Sequence, residues 1–524
     1  MPPWLCSSHV ATGETTHAPS SVEYVTNSSG SVPNILLVVS DQERQRGWLP
    51  PSVQLPWRDR LRAEGLELTR HYTHSSPCSP SRASLFTGQY LAQHGVVDNV
   101  IMPEHKELDP AIPTVGSILR DAGYRSSYIG KWHCSQAPSP DMTAYGFADW
   151  EGNDRHFMGW AGTGVHFDPI IASNAAGWLR ANASTLDQPW FLTVALVNPH
   201  DVMWFPIDQP RYGESHPDDV ERTRRVLEHA HWKDDDVLPL FSDHYDEVCD
   251  ELPANFGDDL IDKPDTQRQW RWDQQHGLWG YIDPSDKKSW LRHLDYYVKL
   301  QQLADASLGT VMAALEESGA YDDTIVILTS DHGDMCGSHG LRSKGPFVYE
   351  EIMHVPCVVK VPGVTAPGSQ TAALGTHVDL ASTIVGLGGV DPASQPSLRG
   401  VDLAPVLADP AATPRDHVLF AHDTAHTNRI NHTRYAIRGF FDGRTKYARY
   451  YGVGGGKPGT GLWGKDPGRK LYDVDAAFSD QEHEWYDLAE DPHEMVNLAH
   501  DRGRRAELHD NHQRLLAYEA AELQ

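Results

Sequence analysis

The 524-residue chain is poor in cysteine: Cys6, Cys78, Cys134, Cys249, Cys336 and Cys357 are all it has, and no two stand at CxxC spacing. That argues against a zinc knuckle and, in so long a chain, against a disulfide framework. No apolar run reaches membrane-spanning length, and no internal repeat is seen. Basic residues are also scarce, with 44 Lys and Arg against 72 Asp and Glu for a formal charge of -28. Such a balance argues against non-specific binding to nucleic acid or to an anionic membrane. Most of it serves solubility, but it obliges any anionic substrate to find a local positive pocket. Residues 1–32, rich in Ser, Thr and Pro with no apolar h-region, read as a disordered tail and not a secretory signal. The expectation is a soluble, cytoplasmic enzyme, long enough for one large α/β domain and a smaller one.

What the chain does have is a recurrent pattern of short, continuously apolar runs that end in polar residues. Asn34-Ile35-Leu36-Leu37-Val38-Val39-Ser40 reads as a buried parallel strand and ends in Asp41-Gln42. A helix over 114–123, stopped by Gly123, leads into a strand over 125–129 and then Gly130-Lys131-Trp132-His133. Residues 190–197 run into Asn198-Pro199-His200-Asp201, and Thr324-Ile325-Val326-Ile327-Leu328-Thr329-Ser330 into Asp331-His332-Gly333-Asp334. Open α/β sheets bind ligands at the carboxyl ends of their strands, so four strands ending this way outweigh any one of them.

A second feature is Ser76-Pro77-Cys78-Ser79-Pro80-Ser81-Arg82-Ala83-Ser84-Leu85-Phe86-Thr87-Gly88. Pro80 suits a first helical turn, where its missing N–H costs nothing. Cys78 then stands at the positive end of a helix dipole, and Arg82 one turn on brings a fork of donors to the same place. Taken alone, a chance cysteine beside a surface arginine explains these residues equally well.

Between these stations, 58–67 reads as a surface helix. Residues 201–290, acidic and holding Trp204, Trp232, Trp270, Trp272, Trp279 and Trp290, read as an insertion over the sheet edge. Its aromatics suit a pocket wall, and packing explains any single tryptophan as well. Apolar residues at helical spacing predict a helix over 295–318. A strand over 357–361, a turn over 363–369 and a helix over 377–384 follow. From about residue 395 the texture changes: 434–441 and 444–451 flank Asp442-Gly443, a hairpin signal, and an amphipathic helix closes the chain over 504–523. The glycine-rich 452–461 lacks the Ser/Thr of a P-loop and reads as a mobile loop. The division is a tail 1–32, a catalytic domain 33–394 and a smaller α+β unit 395–524.

With these residues placed, the chain resembles the sulfatase family of the alkaline-phosphatase-like superfamily, in order from about 34 to 500. The resemblance rests on Asp41 after the first strand, the 78–88 run, Gly130-Lys131-Trp132-His133, Asn198-Pro199-His200, and Ser330-Asp331-His332-Gly333 with Lys344 downstream. It extends to Tyr486-Asp487-Leu488, Asp491-Pro492-His493-Glu494 and Asn497-Leu498. Asp41-Gln42 and Asp331-His332, where many sulfatases have Asp-Asp and Asp-Asn, resemble the branch of choline sulfatases and phosphonate monoester hydrolases.

The resemblance implies a largely parallel α/β sheet flanked by helices, with a smaller C-terminal antiparallel sheet plus helix. It implies hydrolysis of a small-molecule sulfate monoester, the alternative being a phosphonate monoester hydrolase or phosphodiesterase using the same site. A non-catalytic sulfatase-like binding protein is the third reading. Cys78 would be oxidised to formylglycine (3-oxoalanine) by a separate maturation enzyme, and its hydrate would attack sulfur beside one divalent ion, Mn²⁺ or Ca²⁺. Asp41, Asp331, His332 and residue 78 would hold that ion, and Gln42 is carried as a fifth position although it lacks an anionic oxygen. Arg82 and Lys131 would hold the nucleophile and sulfate oxygens. His133 would act as the base that releases sulfate, while His200 and Lys344 would bind sulfate and protonate the leaving oxygen. Asp334 falls beside this set, Cys336 reads as core or pocket wall, and His339 as packing. No nucleic-acid or membrane partner is expected, and the branch leaves a homo-oligomer open.

Overall fold

The computed structural model describes residues 32–101, 105–136, 142–149, 159, 162–206, 209–218, 220–221, 245–276, 279–424, 435–451 and 476–523, with the side chains of 210 and 211 excepted. The tail 1–31, Trp232 and the glycine-rich 452–461 lie outside the described residues.

A seven-stranded sheet organises the larger part of the chain. Its strands are β1 (Asn34–Asp41), β2 (Leu66–Tyr72), β3 (Arg125–Gly130), β4 (Trp190–Pro199), β5 (Thr324–Ser330), β6 (Cys357–Lys360) and β7 (Ser369–Thr376), in the order β3-β4-β1-β5-β6-β2-β7. All neighbours are parallel except β6, which runs against both β5 and β2. β1 is apolar at every inner position because both its faces are covered. Ile35, Leu37 and Val39 pack with Leu85, Phe86, Leu119 and Ile384 on one side. Leu36 and Val38 pack with Leu61, Ile171, Val311 and Leu308 on the other. Each such buried side chain contributes roughly 1.5–3 kcal/mol relative to exposure.

Four antiparallel strands, β8 (Val418–Thr424), β9 (Tyr435–Phe441), β10 (Thr445–Tyr451) and β11 (Glu482–Asp487), form the second sheet in the order β11-β10-β9-β8. Gly443, at φ 92°, supplies the turn between β9 and β10. The helix Arg505–Glu522 covers one face through Leu508 and Leu515 against Phe440 and Tyr447. The first sheet, antiparallel in part, and the second together bear out the expected fold class.

The second sheet is tied to the first by a buried ion cluster. Lys446 Nζ lies 2.6 Å from Glu350 Oε1 and 2.9 Å from Glu494 Oε1. Glu350 also accepts from the Tyr72 hydroxyl at 3.0 Å, and Glu494 accepts from the Glu350 backbone N–H at 2.8 Å. Burial lifts the Glu494 carboxyl to about 8, with Lys446 opposing and Glu350 adding to the rise. Glu350 sits well below the usual carboxylate range because Lys446 and His354 outweigh its burial.

Several expectations need correction. The helix placed over 58–67 is Pro56–Glu64, and 66–67 already belong to β2. It is not simply a surface element: Arg58 is buried between Glu43, at 2.6 Å, and Asp305, at 3.2 Å. The helix expected from 295 begins at Lys287, capped by Asp286, and runs to Glu317. Trp290 therefore sits inside that helix, packed on Phe256. Trp270 packs on Phe347 and Tyr435. Trp204, Trp270, Trp279 and Trp290 are all at most 3% exposed, so packing accounts for all four. β2, β7 and the helix Thr163–Asn182 had no counterpart in the sequence reading. Among the described residues all five cysteines are free thiols, and no helix is long and apolar enough to cross a membrane.

Candidate active site

The register of the first sheet brings the polar strand ends together. Ser40 pairs with Ser330 across the parallel β1/β5 ladder, so Asp41 and Asp331 emerge side by side, and the Asp331 N–H donates to the Ser40 carbonyl at 3.1 Å. On the other flank Asp41 pairs with Pro199, just before His200, and Gly130 with Ala195. Gly130 has φ 114°, and a Cβ there would lie 2.0 Å from the Ala195 carbonyl oxygen. Only glycine lets the chain leave β3 in the direction that delivers Lys131.

Cys78 is the first residue of the helix Cys78–Thr87, all ten of whose residues are buried. Pro80 falls in its first turn, and the Ser79 N–H is satisfied by Asn99 Oδ1 at 3.1 Å. The Cys78 Sγ lies 3.2 Å from His332 Nε2, 3.6 Å from Asp41 Oδ1 and 4.0 Å from Lys131 Nζ. One ligand atom from each of Asp41, Cys78, Asp331 and His332 falls within 4.8 Å of all the others. His332 Nδ1 donates to the Gly333 carbonyl at 2.8 Å, which fixes the tautomer and leaves the Nε2 lone pair facing the cluster. Two carboxylates, one imidazole nitrogen and the group at position 78 are a donor set that fits a divalent cation.

Three cations surround these ligands. Arg82 spends its whole guanidinium within the site: Nε donates to Asp331 Oδ2 at 2.9 Å, Nη2 to Asp41 Oδ2 at 3.0 Å and Nη1 to the Lys131 carbonyl at 2.8 Å. Lys131 Nζ reaches Asp41 Oδ2 at 2.6 Å. Burial alone would raise the Asp41 pKa, yet Lys131, His200, Arg82 and Lys344 hold it well below the carboxylate range. Lys344 is different. It is 5% exposed, and its ammonium meets the amide oxygen of Gln42 and the Met203 sulfur, the latter at 3.0 Å; among the described residues no carboxylate lies in ion-pair reach, although Asp41 and Asp334 feel its charge from farther off.

His133 and His200 stand at this edge too. Burial first, then Lys131 for His133 and Lys344 and Lys131 for His200, push both imidazoles well below 6.5, so both are neutral at neutral pH.

The sequence-derived residues Asp41, Gln42, Cys78, Arg82, Lys131, Asp331, His332 and Lys344 are thus linked by direct contacts, with His133 and His200 within the same field. Gln42 adopts φ 70° and its amide bridges Lys344 to Asp334, while its backbone N–H donates to Asp331 Oδ1 at 3.0 Å. Asp334 also accepts from the Cys336 N–H at 2.7 Å, and Cys336 lies wholly buried in an aromatic core cluster. His339 packs on Tyr349 and bonds Asp258 at 2.7 Å.

Other contributors were not read from the sequence. The Tyr297 hydroxyl donates to the Gln42 carbonyl. His377 Nε2 lies 3.2 Å from the Asp331 carbonyl. The loop before Cys78 is held by β8: the Ala421 N–H donates to the His74 carbonyl at 3.0 Å, and the Ser76 N–H lies 3.3 Å from His422 Nδ1. None of these carries a local motif; each is brought in from a distant element.

The family model Sulfatase matches residues 33–390. The chain belongs to the sulfatase family. A second model, N-sulphoglucosamine sulphohydrolase, C-terminal, matches residues 337–453. The uncharacterized sulfatase YidJ of Escherichia coli (strain K12) is 28% identical over 64% of this chain and 62% of its own length, so the match spans under two thirds of that relative. The N-acetylglucosamine-6-O-sulfatase of Bacteroides thetaiotaomicron is 25% identical over 73% of this chain and 72% of its own. Among solved structures, a phosphonate monoester hydrolase from Silicibacter pomeroyi superposes with a TM-score of 0.68 at 20% identity, covering 94% of this chain and 96% of that one. This last likeness is one of fold.

Proposed function

We propose that the protein hydrolyses a sulfate monoester to an alcohol and sulfate, with residue 78 acting as a formylglycine hydrate. The observation that carries this is a Cys78 lying within 3.2–4.0 Å of His332, Asp41 and Lys131, with the buried Lys344 ammonium, which has no carboxylate partner among the described residues, joined to the same site through Gln42. A desolvated cation of this kind is suited to an incoming anion, and it answers how so acidic a chain accepts one.

Asp41, Asp331, His332 and residue 78 would hold one divalent cation, and the imidazole nitrogen favours Mn²⁺ over Ca²⁺. When bound, that ion supplies Lewis-acid chemistry, offsetting negative charge as sulfur is attacked. Arg82 fixes both carboxylates in place, and its three engaged nitrogens suit holding ligands better than gripping sulfate. Lys131 orients residue 78. Lys344 and His200 would receive the sulfate oxygens; an anion seated there raises the His200 basicity that the two lysines now suppress, so the ring takes up a proton from solvent as the substrate binds and passes it to the departing alcohol oxygen. His133, neutral before the reaction, would take the proton of the second hydroxyl of residue 78 as the bond to sulfate breaks and the aldehyde returns. Water then restores the hydrate.

The test is to co-produce the chain with a formylglycine-generating enzyme and verify position 78 by peptide mass. An aryl sulfate, an aryl phosphonate monoester and a phosphodiester are then offered, each with Mn²⁺ and with Ca²⁺. Sulfate turnover strongest with Mn²⁺ is expected. Dominant phosphonate or diester turnover would replace the sulfatase reading, and no turnover despite confirmed conversion would favour a binding protein.

A further inference from the structure

We propose that Asp168 and Asp201 are positioning residues: a reciprocal clasp that aims the His200 imidazole at the leaving group. The proposal rests on the reading of His200 given above.

The helix Thr163–Asn182 starts at Gly162 without a side-chain cap of its own, which leaves first-turn N–H groups to satisfy. Asp201 satisfies two of them from outside, accepting from Gly164 N–H at 3.2 Å and Val165 N–H at 3.0 Å. In return the same helix sends Asp168 to the end of β4. Its carboxylate accepts from Val197 N–H at 2.7 Å and Asn198 N–H at 3.0 Å, where the β1/β4 pairing loses its regular register. Asn198 Oδ1 closes the figure by accepting from the Asp201 N–H at 3.3 Å. Asp168 and Asp201 are 1% and 0% exposed. Each element thus provides the carboxylate that the other's loose N–H groups need, and His200 is the residue enclosed between them.

His200 depends on this arrangement. Its Nδ1 has no hydrogen-bond partner among the described residues, so no bond at that nitrogen orients the ring, and its direction is inherited from the backbone at 198–201. Behind it lies Gly159, where a Cβ would come within 3.0 Å of His200 Cε1 and 3.6 Å of Lys131 Nζ. That floor limits the ring on one side, and the clasp sets its height above the sheet.

The experiment compares Asp201→Ala, Asp201→Asn and Asp168→Asn with the wild type, all converted at position 78, on 4-nitrophenyl sulfate and on an alkyl sulfate whose alcohol needs a proton to depart. Asp201→Ala should lose about 30-fold or more in kcat on the alkyl ester and only about 3-fold on the nitrophenyl ester, with KM little changed. Asp201→Asn, which keeps one capping oxygen, should recover much of the loss. In a His200→Ala background, Asp201→Ala should add less than about 2-fold. Equal losses on both esters, or losses that multiply in that background, overturn the proposal. If His200→Ala itself shows no dependence on the leaving group, the acid reading of His200 fails. The clasp is then judged by crystal structures, a displaced His200 ring in Asp201→Ala supporting it and an unmoved ring overturning it. Should Asp201→Ala not fold, Asp201→Asn and Asp168→Asn serve together: each keeps one accepting oxygen and should show a smaller loss of the same kind, greater on the alkyl than on the nitrophenyl ester, and equal losses on both esters overturn the proposal.

Discussion

Two of the buried charge clusters in this molecule differ in how they are closed. Around Lys446, the ammonium faces Glu350 and Glu494, and Glu494 also accepts the Glu350 backbone N–H. Every charge there finds its opposite inside the fold. Around Cys78, Arg82 and Lys131 are paired with Asp41 and Asp331, but among the described residues Lys344 meets only an amide oxygen and a thioether. Desolvating an ion without a counterion is costly, so the difference separates a joint that holds two sheets together from what, on the reading proposed above, is a site for an anion.

The sharpest way to break this contrast is to remove the reacting group. Cys78→Ala should abolish turnover, a loss on the order of 10⁴-fold or more, while thermal melting shows a folded protein; residual turnover near wild type would remove residue 78 from the chemistry. Next in size is Lys446→Met. Stranding Glu350 and Glu494 should cost roughly 3–5 kcal/mol in urea unfolding, while kcat of the folded protein changes little. Lys344→Met should do the reverse, lowering kcat/KM by about 10²–10³-fold with stability unchanged or improved. If both lysine variants lose stability alike, the two clusters are not different in kind.

The smallest effect is a pH dependence. Glu494 has a folded pKa of about 8, above its unfolded value, so its protonation stabilises the fold at low pH and that contribution is lost as pH rises towards 8. Glu494→Gln keeps a neutral side chain throughout. Its melting temperature relative to wild type should therefore climb between about pH 5 and 8, and a flat difference would show that Lys446 holds Glu494 ionised.

The open cluster was far more legible in the sequence than the closed one. Asp41, His200 and Asp331 each follow a largely apolar run and Lys131 a short strand, and a parallel sheet converts that local pattern into spatial convergence without further information. The Cys78 run added a helix start that its own proline announces. The Lys446 cluster joins residues 350, 446 and 494; Lys446 stands in the hairpin and Glu494 in the 491–494 run, but neither pattern points to the other, and the meeting of the two sheets is what makes them neighbours. β2 was hidden because Leu66 and Leu68 continue the charged, leucine-bearing texture of the preceding helix. β7 was hidden because its Ser369-Gln370-Thr371 start is polar and its strand character comes from pairing with β2. The helix Thr163–Asn182 holds Pro169 and two glycines, Gly164 and Gly177, which mask its period, and so Asp168 had no element to belong to. The tryptophans misled in the opposite direction, since large aromatic surface is as useful to a core as to a pocket.

One contact described above bears on timing. The segment before Cys78 is fastened by β8, through Ser76 and His422, which are 346 residues apart. On the formylglycine reading, a modifying enzyme needs Cys78 as an accessible strand of peptide, and the native fold offers none. At ribosomal speeds of about 5–20 residues per second, His422 is synthesised roughly 17–70 s after Ser76. Those seconds are when the nascent chain still lacks its fastening strand, so on this reading the window for modification closes as translation proceeds. Slowing elongation between codons 78 and 422 should raise the converted fraction of a chain whose sequence is unchanged.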